Sequence, residues 1–132
     1  QDGSILIGGG AAGVEAANVL WVFATVRHIP PERTMRMLES RITSGARALD
    51  PRSTINVFWS MARLNQYMPV ELMHTLQTQA TSQQSHLSPG LVGTLLWSLG
   101  RMGYQGASHT LLQATEKVLA RSEGELDSYA VS

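Results

Sequence analysis

The stretch NVLWVFATVRHIPP, residues Asn18–Pro31, returns as NVFWSMARLNQYMP, residues Asn56–Pro69. A third and looser copy, TLLWSLGRMGYQGA, begins at Thr94. Each copy holds one of the three tryptophans of the chain, and these are spaced by 38 residues: Trp21, Trp59 and Trp97. A fixed period of this length indicates repeated structural units, either stacked helical pairs or the blades of a propeller.

Helix-start signals favour the helical pairs. Asp50 before Pro51, and Ser88 before Pro89, are typical of an N-cap followed by proline at the first helical position. A second helix is predicted after the next proline, as in PERTMRMLESRI. Its apolar residues fall on one helical face: Met35, Leu38 and Ile42. Each period therefore predicts a helix, a tight turn, a second helix and a polar connector.

The predicted fold is all-α, an α-solenoid of stacked two-helix repeats of 38 residues. Residues 1–13 are predicted to form a Gly-rich lead-in, followed by repeats at about 14–50, 51–88 and 89–126 and the start of a fourth at 127–132. This amounts to about three repeats with a fourth truncated. Because the next tryptophan is due at position 135, we expect the natural protein to continue.

The first helix of each pair is apolar nearly all round, which predicts burial against its partner and against the next repeat. In the second copy these apolar residues are Val57, Phe58, Met61, Ala62 and Leu64. The tryptophan column is predicted to belong to this core and not to a base-stacking surface. The small residue three positions after each tryptophan is expected to let helices approach closely: Ala24, Ala62 and Gly100.

The composition fits a folded domain without membrane or disulfide chemistry. Hydrophobic residues make up 43% and charged residues 15% of the 132-residue chain. No apolar run approaches 18 residues, so no membrane span is expected. Cysteine is absent, which excludes disulfides and the usual zinc clusters. The net charge is zero, but nine of the ten basic residues are arginine, the side chain suited to fork-like contacts with phosphate.

The Trp-centred motif resembles the octotricopeptide repeats of green-algal organelle proteins and the related heptatricopeptide repeats of apicomplexan and dinoflagellate organelle proteins. The resemblance covers roughly residues 14–132, and the period of 38 favours the octotricopeptide form. The matching positions are Asn18, Asn56, Trp21, Trp59, Trp97, Arg63, Arg101, Gly103, Pro31 and Pro69. Four positions depart from the pattern and put regular one-base-per-repeat recognition in doubt: Thr25, Thr94, Gly100 and Ala107.

The resemblance implies a right-handed α-solenoid that binds RNA in mitochondria, or alternatively in chloroplasts or other plastids. Members of these families stabilise, process or help to translate organellar transcripts, and others are built into mitochondrial ribosomes. The implied partners are therefore ribosomal RNA or an organellar transcript, together with protein subunits of a ribonucleoprotein. No membrane partner is expected.

Two sets of residues are predicted to contact RNA. Arg63 and Arg101 share one repeat position, and with Arg27 they are the candidates for phosphate contacts. Base contacts are predicted at polar positions near the start of each second helix: Glu32, Arg33, Glu71, Ser108 and His109. A salt bridge or a solvated face is the alternative role for the arginines. A protein-interaction scaffold of the same fold is the alternative function, and the neutral net charge favours it.

A glycine motif near the start offers a further alternative, a nucleotide-binding enzyme fragment. Gly8, Gly10 and Gly13 match G-x-G-x-x-G after the short apolar run 4–7, which resembles a dinucleotide fingerprint. The following HIPPE stretch cannot form the central strand that such a fold requires, and no later βαβ pattern follows. The four histidines have no metal-ligand spacing. We therefore expect no enzyme activity, no metal and no cofactor.

Overall fold

The protein is all-helical throughout the part that the structure describes. The structure is a computed structural model that describes residues 10–103 and 106–131, with side chains described as far as residue 122. Within those residues there are six α-helices and no strand. In chain order they are α1 (Gly10–Thr25), α2 (Glu32–Ser44), α3 (Pro51–Arg63), α4 (Val70–Ser82), α5 (Pro89–Arg101) and α6 (His109–Val131). The predicted all-α class is confirmed for this part of the chain.

The predicted N-caps of α3 and α5 are present. The Asp50 carboxylate accepts a hydrogen bond from the Ser53 N–H at 2.7 Å, and Pro51 is the first residue of α3. The Ser88 hydroxyl accepts one from the Leu91 N–H at 3.2 Å at the start of α5. These side chains satisfy donors that the first turn of a helix leaves without a backbone partner.

The second helices also begin where the sequence predicts. Pro31 and Pro69 have extended backbone conformations, and α2 and α4 start at the next residue. Short 3₁₀ turns at Ala46–Ala48 and Gln84–His86 lead from the second helix of one pair to the first helix of the next. Helices therefore alternate along the chain with the predicted 38-residue offset.

Corresponding helices pack side by side. The first helices α1, α3 and α5 form one row of neighbours, and the second helices α2, α4 and α6 form another. Side chains also join successive pairs, because the amides of Gln79 and Gln83 both donate to the Leu49 carbonyl, at 3.0 and 2.7 Å. These contacts are compatible with the predicted α-solenoid. Among the described residues, no helix has the length and apolar character that a membrane crossing needs.

The predicted core is largely correct, with one exception. Every apolar residue predicted to be buried in α3 and α2 is buried: Val57, Phe58, Met61, Ala62, Leu64, Met35, Leu38 and Ile42. The tryptophans are the exception, because Trp21 is 41% exposed, Trp97 is 47% exposed and Trp59 only partly buried at the edge of the core. The prediction that the tryptophan column is core is therefore wrong.

The reason lies in the helical position of the tryptophans. In α3, Trp59 lies on one stripe with Asn56 and Arg63, three residues before it and four after it, and all three are only partly buried. The core face is carried instead by neighbours such as Phe58 and Met61. The tryptophan column thus lies on the polar side of each first helix.

Both ends of the described chain differ from the predicted boundaries. Helix α1 begins at Gly10, inside the range assigned to the lead-in, while Gly8 and the apolar run 4–7 lie outside the described residues. Helix α6 runs without a break from His109 to Val131, so no connector separates a fourth repeat at residue 127. Ser132 also lies outside the described residues.

Candidate nucleic-acid interface

Arg63 and Arg101 have the same role in two successive helix pairs. The Nε–H of Arg63 donates to the Ala24 carbonyl at 2.9 Å, and that of Arg101 donates to the Ala62 carbonyl at 3.1 Å. Each bond joins the end of one first helix to the end of the preceding one. Because a guanidinium carries five N–H donors, one bond from Nε leaves most of them for a ligand.

Each of these arginines also lies over the tryptophan of its own helix. The guanidinium carbon is 5.2 Å from the ring centroid of Trp59 in the case of Arg63, and 5.7 Å from that of Trp97 in the case of Arg101. Both distances are within the range of a cation–π contact. The stacking follows from the spacing of four residues, which places the two side chains on one helical face. In α1 the same position holds Thr25, whose hydroxyl donates to the Trp21 carbonyl at 2.8 Å.

Arg27 is held in an unusual backbone conformation. Its φ angle is 58°, and the equivalent residues in the next two turns, Asn65 and Gly103, have φ angles of 57° and 72°. Each donates its backbone N–H to the carbonyl three residues earlier, so the three turns are alike. Asparagine and glycine tolerate this left-handed conformation, whereas arginine does so at a cost of about 1–2 kcal/mol. Arg27 therefore occupies a position at which the left-handed backbone conformation favours glycine or asparagine.

All three arginines line one cavity of about 280 Å³. Arg27 comes from the turn after α1, Arg63 from the end of α3 and Arg101 from the end of α5, so three successive helix pairs contribute. The other lining residues are Ile29, Leu64 and Trp97. Among the described residues, no acidic side chain lines the cavity, and the ion pair found is that of Arg36 with Glu32. The cavity therefore concentrates positive charge beside apolar and aromatic surface.

The predicted base-contacting residues lie apart from this cavity. Glu32 and Arg33 are exposed at the start of α2, where Glu32 is paired with Arg36 in the next turn. Together these three residues line a shallow surface depression. Glu71 is exposed at the start of α4 and lines a groove between α2 and α4 that also contains Glu39. Burial raises the pKa of Glu39, and Arg36 lowers it by a smaller amount.

Ser108 and His109 lie where α6 begins, and Ser108 already has partners within the chain. Its hydroxyl accepts from the Leu111 N–H at 3.1 Å and so caps the helix, while its own N–H donates to the side-chain carbonyl of Gln77. The Gln77 amide also donates to the Gly106 carbonyl at 2.7 Å. His109 is exposed. The Ser108 hydroxyl thus stabilises the helix start, and His109 remains the accessible member of the pair.

The structure thus brings together the three predicted phosphate residues, and it adds three that the sequence interpretation missed. Ile29 and Leu64 join the cavity through turns whose shape was not predicted. Trp97 was missed because aromatic residues are commonly buried. Its position four residues before Arg101 could have indicated its exposure, because this spacing places the ring and the arginine on the same helical face. In the described part of the chain, no three histidine or acidic side chains are grouped so that they could hold a metal ion.

The fold and this cavity define a helical protein with an arginine-lined, partly aromatic site. A family model described as FAST kinase-like protein, subdomain 1, matches residues 16–86. The match covers more than half of the chain, and the chain therefore belongs to this family. The family is helical, associated with RNA binding and regulation, and generally mitochondrial. Searches of curated proteins and of solved structures found no match.

The resemblance described above implied a helical protein from a family associated with RNA, and the family match supports that general statement. It does not directly support octotricopeptide or heptatricopeptide repeats, which remain a resemblance based on the Trp-centred motif. The matched range includes Arg27 and Arg63, and Trp97 and Arg101 lie beyond it. Two of the six residues that line the cavity therefore come from outside the matched subdomain.

Proposed function

We propose that the chain is an RNA-binding part of an α-solenoid that acts in mitochondria. In this proposal it belongs to a ribonucleoprotein, such as the mitochondrial ribosome, or to a factor that controls RNA stability or translation. The observation that carries the proposal is the convergence of Arg27, Arg63 and Arg101 on one cavity, which no acidic side chain of the described residues lines. The family's association with RNA also supports the proposal of RNA binding.

The chemistry of the three guanidinium groups favours phosphate. Guanidinium donors match phosphate oxygens in a forked geometry and remain charged at every physiological pH. The Nε bonds to Ala24 and Ala62, together with the tryptophan contacts, hold Arg63 and Arg101 in place before any ligand arrives. Less side-chain entropy is then lost on binding. A net charge of zero is compatible with this proposal, because the cationic surface is local.

We extend the proposal to a binding role without catalysis. A nucleophilic mechanism requires a base within hydrogen-bond reach and a third group that orients it. The closest arrangement is the hydroxyl of Ser85, 3.2 Å from Nδ1 of its neighbour His86, on an exposed turn. His28 instead stacks on the Phe23 ring. The proposed binding role rests on the arginine-lined cavity and not on either of these contacts.

The alternative function, a protein-interaction scaffold, is favoured by one surface. Val19, Val22 and Val26 are exposed on α1, whereas the residues 38 positions later in α3 and its turn, Val57, Ser60 and Leu64, are buried. The exposed apolar stripe on α1 is therefore available to a helical partner, as either a further repeat or another protein.

The test of the RNA proposal uses the turn residue Arg27. Arg27→Gly removes one charge from the cavity and gives the left-handed turn the residue it favours. We expect unchanged or higher stability to denaturant, by up to about 1 kcal/mol, together with weaker RNA binding. The matched control is Asn65→Gly, which makes the same backbone change in the next turn without removing a charge. Equal RNA affinity of the two variants would contradict the proposal.

A further inference from the structure

The tryptophan of the third helix pair lies at the surface and not in the core. Trp97 is 47% exposed and lines the cavity that the arginines share. Arg101 covers part of the ring from within the same helix. An aromatic ring left open beside three cations leaves a large apolar surface unburied, and folding alone gives no reason for it.

The cavity combines two kinds of surface. Trp97, Ile29 and Leu64 supply apolar contact, and the arginines supply charge. Ile29 lies in the turn after α1 and is exposed, whereas Leu64 is buried at the end of α3. A ligand that matches this arrangement needs a flat apolar part joined to an anion. A simple anion would leave the aromatic surface unused, and an apolar peptide would leave the arginines unpaired.

We infer that the cavity is a subsite for one unpaired nucleotide, whose base stacks on the Trp97 indole while its phosphates bind the arginines. This inference rests on the proposed RNA function and names its substrate class, single-stranded RNA. Bases of a duplex stay within the helical stack and cannot lie on a protein side chain, whereas bases of a single strand stack readily on aromatic rings.

The other tryptophans differ from Trp97 in ways that the test can use. Trp59 is partly buried and packs beside the core. Trp21 has a similar exposure to Trp97, at 41%, but no arginine lies over it and it is not among the cavity-lining residues. Trp21→Leu is therefore a matched control for Trp97→Leu, since both substitutions remove a half-exposed indole from a first helix.

The experiment measures the binding of three probes to the 132-residue chain: a 12-nucleotide oligoadenylate, a duplex of that strand with its complement, and inorganic polyphosphate of similar charge. We expect Trp97→Leu to weaken oligoadenylate binding by roughly tenfold, the loss typical of one base–aromatic stack. Polyphosphate affinity should be unchanged, and Trp21→Leu should bind all three probes like the wild type. The wild type should prefer the single strand to the duplex.

A second measurement does not depend on the leucine variant folding normally. In a Trp21→Phe, Trp59→Phe protein, the remaining Trp97 fluorescence should be quenched by oligoadenylate and not by polyphosphate. Absence of this difference, or an equal loss of oligoadenylate and polyphosphate affinity in Trp97→Leu, would overturn the inference. Those outcomes leave RNA binding by the arginines intact. By contrast, a wild type that binds neither oligoadenylate nor polyphosphate would overturn the proposed function and the subsite together.

Discussion

At the scale of single residues, Arg63 and Arg101 have a structural role in addition to the binding role proposed for them. Each arginine joins two first helices through its Nε, and its guanidinium carbon lies over the ring of a tryptophan. The Ala24 carbonyl accepts both from Arg63 and from the Arg27 backbone N–H, so both of its lone pairs are used. The sequence interpretation treated phosphate contact and structural bonding as alternatives, and the geometry permits both.

A charge-preserving substitution separates the two roles. Arg63→Lys keeps the positive charge but cannot reproduce the planar stack and the Nε bond together. We expect a loss of about 1–2 kcal/mol in the free energy of unfolding, from one charged hydrogen bond and one cation–π contact. Urea denaturation measures it, with the exposed Arg41→Lys as the control. A stability equal to that of the control would show that the bond to Ala24 contributes little.

At the scale of helices and turns, local signals predicted most of the architecture. The N-caps, the prolines and the apolar positions of α2 and α3 each follow from rules that act over a few residues. The prediction that the tryptophans are buried was wrong, because the burial of a helix face depends on the neighbouring helix pair. Residue type alone does not reveal which face of a helix packs against that neighbour. The shared cavity was even less predictable, because it depends on the turn after α1 reaching the ends of α3 and α5.

The cap at Asp50 provides a prediction for helix α3. Hydrogen bonding from the Ser53 N–H lowers the pKa of Asp50. A carboxyl group with a lowered folded-state pKa contributes stability above its unfolded pKa, and this contribution is lost as the pH falls through the folded value. Asp50→Ala should therefore cost about 1 kcal/mol at neutral pH and less in acid, whereas Asp50→Ser should retain most of the stability. Thermal unfolding at a series of pH values tests this, and a pH-independent difference would contradict it.

A close contact between α1 and the turn after α2 gives a second prediction at this scale. A Cβ atom at Gly13 would lie 2.9 Å from the Cα of Gly45, whereas one at Gly93 in α5 would meet nothing within 4 Å. Gly13→Ala should therefore destabilise the protein by about 1–3 kcal/mol, although alanine normally stabilises a helix. Gly93→Ala, the control, should stabilise it by about 0.5–1 kcal/mol.

The outcome at Gly13 also bears on the glycine motif. Gly13 belongs to the G-x-G-x-x-G pattern, and its packing against Gly45 gives it a structural purpose within α1. If Gly13→Ala and Gly93→Ala change the unfolding free energy in the same direction, the close contact is not important for folding, and a role for this glycine in ligand binding regains support.

At the scale of the whole molecule, three successive helix pairs contribute residues to one cavity. The 38-residue period was readable from three tryptophans, and together with the helix-start signals it correctly predicted the all-helical class of the described residues. The charge distribution could not be predicted in the same way, because a net charge of zero gives no sign of a cavity that three arginines, and no acid among the described residues, line. Only the relative placement of α1, α3 and α5 reveals that local concentration of charge.

The most direct test of the central claim is the salt dependence of RNA binding. For single strands, each phosphate contact contributes about 0.7 to the slope of log affinity against log salt concentration. Replacing Arg27, Arg63 and Arg101 by glutamine should therefore make that slope shallower by about two units for a 12-nucleotide oligoadenylate, after circular dichroism has shown that the variant is folded. The control replaces three exposed arginines away from the cavity, Arg41, Arg47 and Arg52, and should keep the wild-type slope. Equal slopes for the two variants, or a wild type without salt-dependent RNA binding, would contradict the account.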